Sequence, residues 1–222
     1  MKRVLVSWSS GKDSAWALHV LRQQPEYEIV GLLTTFNQAA DRVAMHGVRR
    51  TLVEKQAAAA GLPLWPVPLP WPCSNEEYER LMAQACARAL AQGVEYVAFG
   101  DLFLEEVRAY RIRQMAQSNL TPLFPLWGMP TDKLAREIIA AGLKAVLTCV
   151  DTRRLDRAFA GLGFDQELLA NLPAGIDPCG ENGEFHSFVY AGPMFCTELT
   201  IVPGEIVSRD PFVFADFNSA GE

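Results

Sequence analysis

The chain has 222 residues, of which half are hydrophobic and 21% are charged, and its formal net charge is −6. This composition is that of a globular protein and excludes a chain that is mainly disordered. No apolar run approaches the roughly 20 residues of a membrane span, so we expect no membrane partner and a cytoplasmic location. An acidic chain without a basic stripe also predicts no nucleic-acid partner.

The cysteines and the acidic residues restrict the chemistry further. The five cysteines are an odd number and form no CxxC pair, which argues against a disulfide framework and against a zinc site. The acidic excess is concentrated in residues 116–222. It forms either a solvated acidic face or a surface that meets a metal or a positively charged substrate, and both alternatives stay open.

Strands and helices alternate through the first half of the chain. The predicted strands are short apolar runs at residues 4–6, 29–33, 64–69 and 95–99. The predicted helices follow them at residues 12–23, 48–60, 76–92 and 104–117. The proline-rich run at 64–69 is expected at a sheet edge, because proline lacks a backbone donor. This alternation predicts an α/β fold with a doubly wound parallel sheet.

The pattern changes after about residue 118. One helix and one strong strand are predicted next, at residues 131–141 and 145–150. Short segments separated by turns follow, at residues 185–190, 198–202, 205–207 and 212–214. They indicate mixed or antiparallel β structure. We therefore expect two domains, residues 1–118 and a smaller α+β domain at residues 119–222.

A serine-rich loop, residues 9–14, follows the first strand and opens the first helix. A helix start offers unpaired backbone N–H groups and the positive end of the helix dipole, and both favour an anion. The loop matches neither the Walker A pattern nor GxGxxG. We predict an anion site, with a solvated turn that caps the helix as the alternative. Its residues are Ser9, Ser10, Gly11, Lys12, Asp13 and Ser14.

Two more segments end predicted strands at the same edge of the sheet. Ligands of a doubly wound sheet bind beyond the carboxyl ends of its strands. Thr34 and Thr35 follow the second strand and are predicted to contact an adenine or a ribose. Asp101 is predicted to bind Mg²⁺ together with Asp13, because Mg²⁺ prefers one or two carboxylates plus phosphate oxygens. A turn residue without a ligand is the alternative for Asp101.

Residues 180–187, with the sequence GENGEFHS, place two carboxylates and an imidazole at the start of a predicted strand. Alternation along an extended backbone puts Glu184 and His186 on one face. Such a pair, with Glu181 nearby, can orient a nucleophile or accept its proton. The alternative is a glycine-rich turn with surface acids. His46 is either a helix cap or a contact to a nucleotide or substrate.

The serine-rich loop resembles the pyrophosphate loop, SGGxDS, of the N-type ATP pyrophosphatases. Ser10 stands where that family has its first glycine, and we expect this serine to keep the turn with a negative φ. Nearly the whole chain resembles the diphthine–ammonia ligase family. The further residues that carry this resemblance are His46-Gly47, Gly100-Asp101 with Arg108, Tyr110 and Arg111, Pro125-Leu126-Trp127, and residues 179–187 with Gly192-Pro193.

The resemblance implies a HUP-type nucleotide-binding domain, a substrate-binding C-terminal domain, and an amide-forming ligase that uses ATP and Mg²⁺. A substrate carboxylate attacks the α-phosphorus, pyrophosphate leaves, and ammonia then displaces AMP. The residues implied to bind ATP are those of the serine-rich loop with Thr34, Thr35 and His46. The residues implied to be catalytic are Lys12, Asp101, Glu181, Glu184 and His186. The implied partners are a small-molecule or protein-borne carboxylate and free ammonium, and a homodimer stays open.

Residue 186 distinguishes two possible substrates. Eukaryotic and archaeal diphthine ligases tend to carry an acidic residue there, whereas His186 resembles a bacterial subgroup. The substrate is therefore either diphthine or another carboxylate, such as a cobalamin-related acid. The alternative functions are a non-catalytic nucleotide-binding module and a tRNA-modifying PP-loop ATPase. Arg108 and Arg111, one helical turn apart, face either a phosphate or solvent.

Overall fold

Residues 1–220, which the computed structural model describes, form two β-sheets with helices packed between and beside them. The strands are β1 (Lys2–Ser7), β2 (Tyr27–Asn37), β3 (Arg42–Val43), β4 (Leu64–Leu69), β5 (Tyr96–Ala98), β6 (Thr121–Leu123), β7 (Lys144–Asp151), β8 (Phe185–Ala191), β9 (Ile201–Arg209) and β10 (Phe212–Ser219). The helices are α1 (Lys12–Arg22), α2 (Arg50–Ala60), α3 (Asn75–Ala91), α4 (Glu105–Gln117), α5 (Thr131–Ala140) and α6 (Gln166–Asn171), and Arg157–Phe159 form a 3₁₀ turn.

The first sheet, sheet A, is the predicted parallel sheet. Its parallel strands lie in the order β4–β2–β1–β5–β6, and the short β3 pairs antiparallel with the end of β2. In the described chain β4 pairs with β2 alone, so it lies at the edge that its prolines predict. The α/β class is therefore confirmed.

Helices cover both faces of sheet A, as a doubly wound sheet requires. Along β1, Val4 and Val6 face the core formed with α1 and α2. Leu5 points the other way, into the core formed with α3 and α4. This alternation follows from the two-residue period of a strand, and it explains why β1 is apolar on both sides.

The second sheet, sheet B, is antiparallel throughout, with the order β8–β7–β10–β9. Its strand β9 is one continuous strand, Ile201–Arg209, where the sequence predicted two separate segments. The sequence also missed α6 and β6. Strand β6 pairs with β5 in sheet A although it follows residue 118. The domain division at residue 118 stays a prediction.

The two sheets share one hydrophobic core on the α1–α2 face of sheet A. This core contains residues of β1, α1 and α2 together with residues of β7, β8 and β10. Strand β8 passes directly over the serine-rich loop, and the Val189 N–H donates to the Ser10 carbonyl over 3.0 Å. No helix within residues 1–220 combines the length and the apolar character needed to cross a membrane.

Candidate active site

The serine-rich loop connects the end of β1 to the start of α1, as predicted. Gly11 is the N-cap of α1, with an extended backbone (φ −88°, ψ 172°) and no side-chain capping bond. The Lys12 N–H donates instead to the Ser187 hydroxyl, over 3.1 Å, so β8 caps this helix in part. Within the loop, the Ser9 and Ser14 hydroxyls lie 3.2 Å apart. The helix start is therefore organised by both sheets.

The backbone conformation of Ser10 differs from the expected one. Its φ is +71°, in the left-handed region, whereas we expected a negative value. This conformation is disfavoured for residues other than glycine, and serine adopts it here in place of the glycine of the related loop. The side chain is fully buried, and its hydroxyl has no hydrogen-bond partner within residues 1–220. The Ser10 carbonyl, held by β8, maintains the turn.

Gln56 of α2 is a buried hub that the sequence analysis missed. Its side-chain carbonyl accepts a hydrogen bond from the Trp8 indole over 2.9 Å. Its amide nitrogen donates to the Ser10 carbonyl over 3.0 Å and to the Val189 carbonyl over 2.6 Å. One fully buried side chain thereby joins α2, the loop and β8. The sequence feature that could have revealed this hub is a glutamine among the apolar residues of α2.

Gly11 lacks a side chain because neighbours occupy that space. A Cβ atom added to Gly11 would lie 2.9 Å from His46 Cε1 and 3.1 Å from the Ser187 carbonyl oxygen. The absence of a side chain at Gly11 therefore allows His46 and β8 to pack against the loop.

Lys12 lies in the wall of the site with only 2% of its surface exposed. Its ammonium donates to Asp13 Oδ2 over 3.0 Å and to the Cys179 carbonyl. It also lies 5.5 Å from the centre of the Phe164 ring and 5.3 Å from that of Phe185. Burial opposes the charge, but the neighbouring Asp13 carboxylate raises the pKa of Lys12 overall. The side chain is therefore a fixed positive charge.

Three carboxyl groups converge near this charge. Burial raises the pKa of Asp13 despite its pairing with Lys12, and burial also raises the pKa of Asp101. Burial, reinforced by the Asp13 and Asp101 charges and opposed by the Leu102 N–H, raises the pKa of Glu181 to about 7. Asp13 Oδ1 and Asp101 Oδ2 are buried without hydrogen-bond partners in the described chain. Both oxygens can accept a hydrogen bond or a ligand, although Asp101 Oδ2 also forms a long ion pair, 3.7 Å, with Arg111 Nε.

Glu184 lies outside this group, and the catalytic role predicted for it stays a prediction; its Oε2 is buried without a hydrogen-bond partner in the described chain. Glu184 is 2% exposed, and its Oε1 accepts from the Asp177 N–H and from the Asn182 amide, each over 3.2 Å. Asp177 in turn accepts from the Glu181 N–H over 2.8 Å. Glu184 therefore holds together the acidic segment, residues 177–187, from inside its turn. It does not line the cavity.

Two histidines, one from each half of the chain, form one wall of the site. The rings of His46 and His186 lie 4.5 Å apart between centres, and His46 Nδ1 lies 3.2 Å from the Ser187 carbonyl oxygen. Burial, with a contribution from Lys12, lowers the pKa of His186 to about 4. Burial and the neighbouring His186 lower the pKa of His46 well below its usual range. Both rings are therefore neutral near pH 7.

A cavity of about 440 Å³ opens at the carboxyl ends of β1, β2 and β5. Of the predicted loop residues, those that line it are Ser9, Lys12, Asp13 and Ser14. The other predicted residues that line it are Thr35, His46, Asp101, Glu181 and His186. Ser10, Gly11, Thr34 and Glu184 do not line it. Thr34 donates its hydroxyl to the Trp8 carbonyl over 2.9 Å, and the nucleotide contact predicted for it stays a prediction.

Metal binding by protein side chains alone is not indicated. Among residues 1–220, no group of three or more histidine, cysteine, aspartate or glutamate side chains is arranged to hold a metal ion. A magnesium ion that is bound largely by phosphate oxygens and water needs only one or two carboxylates. Asp13 and Asp101 therefore stay the candidate ligands of such an ion.

The fold and the site define an α/β protein with a serine-rich helix start at the topological centre of a parallel sheet. The diphthamide synthase N-terminal domain matches residues 1–118, and the diphthamide synthase C-terminal domain matches residues 130–216. The chain belongs to the diphthamide synthase family.

Curated relatives carry the name diphthine–ammonia ligase. The relative from Bos taurus is 25% identical over 96% of this chain and 88% of its own length. The relatives from Rattus norvegicus and Homo sapiens are each 28% identical over 64% of this chain, and the matched part is 55% of their length. The chain thus corresponds to about half of these two relatives. The enzymes of this family that carry this name are ligases, which form a carbon–nitrogen bond.

A weaker likeness is to a solved structure from Methanocaldococcus jannaschii, described as a predicted subunit of tRNA methyltransferase. Its sequence is 17% identical, the TM-score is 0.42, and the match covers 65% of this chain and 77% of that chain.

Proposed function

We propose that the protein is an ATP-dependent ligase that adenylates a substrate carboxylate and then converts it to an amide with ammonia. The observation that carries this proposal is the cavity of about 440 Å³, in a chain of the diphthamide synthase family, where a helix start, Lys12 and three carboxyl groups meet. The helix start suits the phosphates of a nucleotide, and the carboxyl groups suit a metal and a proton acceptor.

The outer phosphates of ATP fit the serine-rich loop. Ser9 and Ser14 present hydroxyls to the cavity at the amino end of α1, where the helix dipole favours negative charge. The Lys12 ammonium is held by Asp13 and the Cys179 carbonyl, so it acts as a positive charge in the cavity wall. This arrangement leaves the α-phosphate towards the rest of the cavity. Thr35, which lines the cavity from β2, is a candidate for a ribose contact.

Asp13 and Asp101 fit a magnesium ion. Each offers a buried carboxylate oxygen without a hydrogen-bond partner in the described chain, and both residues line the cavity beside the loop. Such oxygens, together with phosphate oxygens, are the ligands that Mg²⁺ prefers. When bound, the ion would neutralise part of the negative charge of the triphosphate. Its binding would also remove the free-energy penalty of two buried oxygens without hydrogen bonds.

In the first step, an oxygen of the substrate carboxylate attacks the α-phosphorus of ATP. The new P–O bond forms as the bond to the bridging oxygen of pyrophosphate breaks, and the products are an acyl-adenylate and pyrophosphate. Lys12 and the N–H groups at the start of α1 stabilise the charge that develops on the departing pyrophosphate. No proton is transferred in this step.

In the second step, the ammonia nitrogen attacks the acyl carbon and AMP leaves with the electrons of the broken C–O bond. The attacking nitrogen must lose a proton, and Glu181 is the best-placed acceptor. It lines the cavity, and burial raises its pKa to about 7, so it exchanges a proton readily near neutral pH. His46 and His186 are neutral and shape the wall of the site.

The test is product analysis with the full chain, ATP, Mg²⁺, ammonium and a panel of carboxylic acids that includes diphthine. We expect AMP and pyrophosphate in equal amounts, together with an amide of one acid. Release of ADP and phosphate instead would contradict adenylation. ATP binding without AMP formation for any acid would favour the non-catalytic nucleotide-binding module. Amidation of diphthine would identify the substrate with that named for the relatives.

A further inference from the structure

Helix α4 carries three polar side chains at three-residue spacing, Arg108, Arg111 and Gln114, which therefore lie along one face. Arg108 Nε, Arg111 Nε and both polar atoms of the Gln114 amide are buried without a hydrogen-bond partner in residues 1–220. Buried polar groups are normally hydrogen-bonded, so four such atoms on one helix face point to a polar partner from outside the chain. The proposed reaction uses none of these side chains.

An aromatic row holds the two guanidinium groups in place. The rings of Phe99 and Phe124 stack 5.8 Å apart, and Trp127 meets Phe124 edge-on at 6.0 Å. Arg111 Cζ lies 4.9 Å from the centre of the Phe99 ring, and Arg108 Cζ lies 4.6 Å from that of Trp127. Stacking on aromatic rings fixes the plane of a guanidinium while its terminal nitrogens stay free to donate.

The arginines lack a strong acidic partner of their own. Arg111 Nε lies 3.7 Å from Asp101 Oδ2, which is too far for a hydrogen bond, and Arg108 has no carboxylate within 4.0 Å in the described chain. Most other arginines that contact an acid in the described chain do so more closely, such as Arg42 with Asp216 at 2.7 Å. Within the described chain Arg108 has no carboxylate partner and Arg111 has one long ion pair with Asp101, so the two charges favour a further anionic ligand.

Arg108 and Arg111 lie next to the cavity of the proposed reaction. Phe99 follows β5 and Phe124 follows β6, so the row lies at the carboxyl edge of sheet A, beside the serine-rich loop at the end of β1. Arg111 lines the cavity, whereas Arg108 lies beyond it. An anion on this pair would therefore sit next to the nucleotide without occupying the loop.

We propose that Arg108 and Arg111 form a recognition site for an anionic group of the acid substrate, a carboxylate or a phosphate, beside the ATP cavity. This inference rests on the proposed function, because it assigns the substrate of that reaction to the class of acids with a second anionic group. Planar guanidinium groups present parallel N–H donors that match the paired oxygens of carboxylates and phosphates.

The experiment uses the full chain saturated with a non-hydrolysable ATP analogue and Mg²⁺, with three probes titrated by calorimetry. Glutarate and inorganic phosphate are the two anionic probes, and glutaramide is the neutral match for glutarate. We expect glutarate, phosphate or both to bind at least about tenfold more tightly than glutaramide. Which of the two binds identifies the anion as a carboxylate or a phosphate.

Variants then locate the bound anion. We expect Arg108→Gln and Arg111→Gln each to weaken anion binding at least about tenfold. Arg113→Gln, which removes an exposed arginine from the same helix, is the matched control and should leave anion binding unchanged. A fourth probe, glutaramate, keeps one carboxylate for the reaction and lacks the second. Glutarate should bind the unmodified chain at least about tenfold more tightly than glutaramate, and this comparison decides the question even where a variant folds poorly.

Each of three outcomes would overturn the inference. The first is that glutarate and phosphate bind no more tightly than glutaramide, and the second is that Arg113→Gln weakens anion binding as much as Arg108→Gln does. The third is that Arg108→Gln weakens binding of the ATP analogue as much as binding of the anion. The third outcome would show that the arginines bind the nucleotide rather than the acid substrate. Failure of the unmodified chain to bind the ATP analogue, with anion binding intact, would contradict the proposed ligase and leave the anion site in place.

Discussion

In the serine-rich loop, Ser9, Asp13 and Ser14 line the cavity at a helix start, whereas the acidic segment folds around one of its own carboxylates, Glu184. In the loop, the predicted anion site follows from local sequence, because any helix start presents N–H groups and positive dipole charge. In the acidic segment, Glu181 and Glu184 are three residues apart and chemically alike, yet one lines the cavity and the other holds the turn. The same residue type therefore has two roles, which depend on the direction of each side chain in the fold.

The largest expected effect comes from Lys12, which connects the two segments. Lys12→Ala removes the only cation bonded to Asp13 in the described chain, so we expect the free energy of unfolding to fall by about 3–5 kcal/mol. Pyrophosphate formation should fall by about 10²–10³-fold in the folded fraction, because charge on the leaving group is no longer stabilised. Urea unfolding and a pyrophosphate assay measure the two effects.

The control for this variant is Lys133→Ala, which removes an exposed lysine of α5. It should change neither measurement. Pyrophosphate release at the wild-type rate in Lys12→Ala would show that the loop acts without this charge.

Glu181→Gln tests the cavity-facing member of the acidic pair. We expect amide formation to fall by about 10²–10⁴-fold above pH 7, because glutamine cannot accept a proton. The wild-type carboxyl is ionised only above its pKa of about 7, so the ratio of wild-type to variant rates should rise as pH passes upward through that value. Taking the ratio removes the pH dependence of ammonia itself, which both proteins share. A ratio that is independent of pH would rule out Glu181 as the proton acceptor.

Glu184→Gln tests the turn-holding member and sharpens the comparison. We expect amide formation to stay within about twofold of wild type, since Glu184 lies outside the cavity. Glu184→Ala removes the acceptor of the Asp177 N–H, so the free energy of unfolding should fall by about 1–3 kcal/mol. Urea unfolding measures this change. A large loss of turnover in the folded Glu184→Gln variant would show that Glu184 takes part in the reaction.

A small effect on stability is expected where the two sheets are joined, at Asp216. Burial works in the opposite direction, but hydrogen bonds from Arg42 and Arg49 lower the pKa of Asp216 to about 2. This carboxylate therefore stabilises the fold above its unfolded pKa of about 4, and the contribution is lost as pH falls through about 2. We expect Asp216→Asn to lower the free energy of unfolding by about 1–2 kcal/mol at neutral pH.

The measurement for Asp216 is urea unfolding of wild type and variant at several pH values. The difference between them should shrink as pH falls from about 4 towards 2, because the wild-type carboxyl is then protonated as well. Asp132→Asn, at an exposed pair with Arg136, is the control and should change stability by about 0.5 kcal/mol or less. A difference that grows on acidification would contradict the assigned pKa.

Much of the fold was predictable because its elements have strong local signals. The apolar runs of β1, β2 and β5 and the prolines of β4 predicted a parallel sheet with β4 at its edge. The three-residue β6 and the six-residue α6 were missed, since such short elements carry little periodicity and are stabilised by their neighbours. Strand β9 was predicted as two pieces because Pro203-Gly204 resembles a turn, whereas pairing with β10 keeps the strand continuous.

The amino-acid sequence by itself determined that a helix start carrying serines and a lysine would lie at the edge of a parallel sheet, because strand, turn and helix signals act over a few residues. The tertiary structure alone decided the positive φ of Ser10, the buried hub at Gln56, the pairing of His46 with His186 and the separate roles of Glu181 and Glu184. Each of these depends on contacts between residues far apart in the chain, and burial at those contacts sets both the hydrogen bonds and the pKa values.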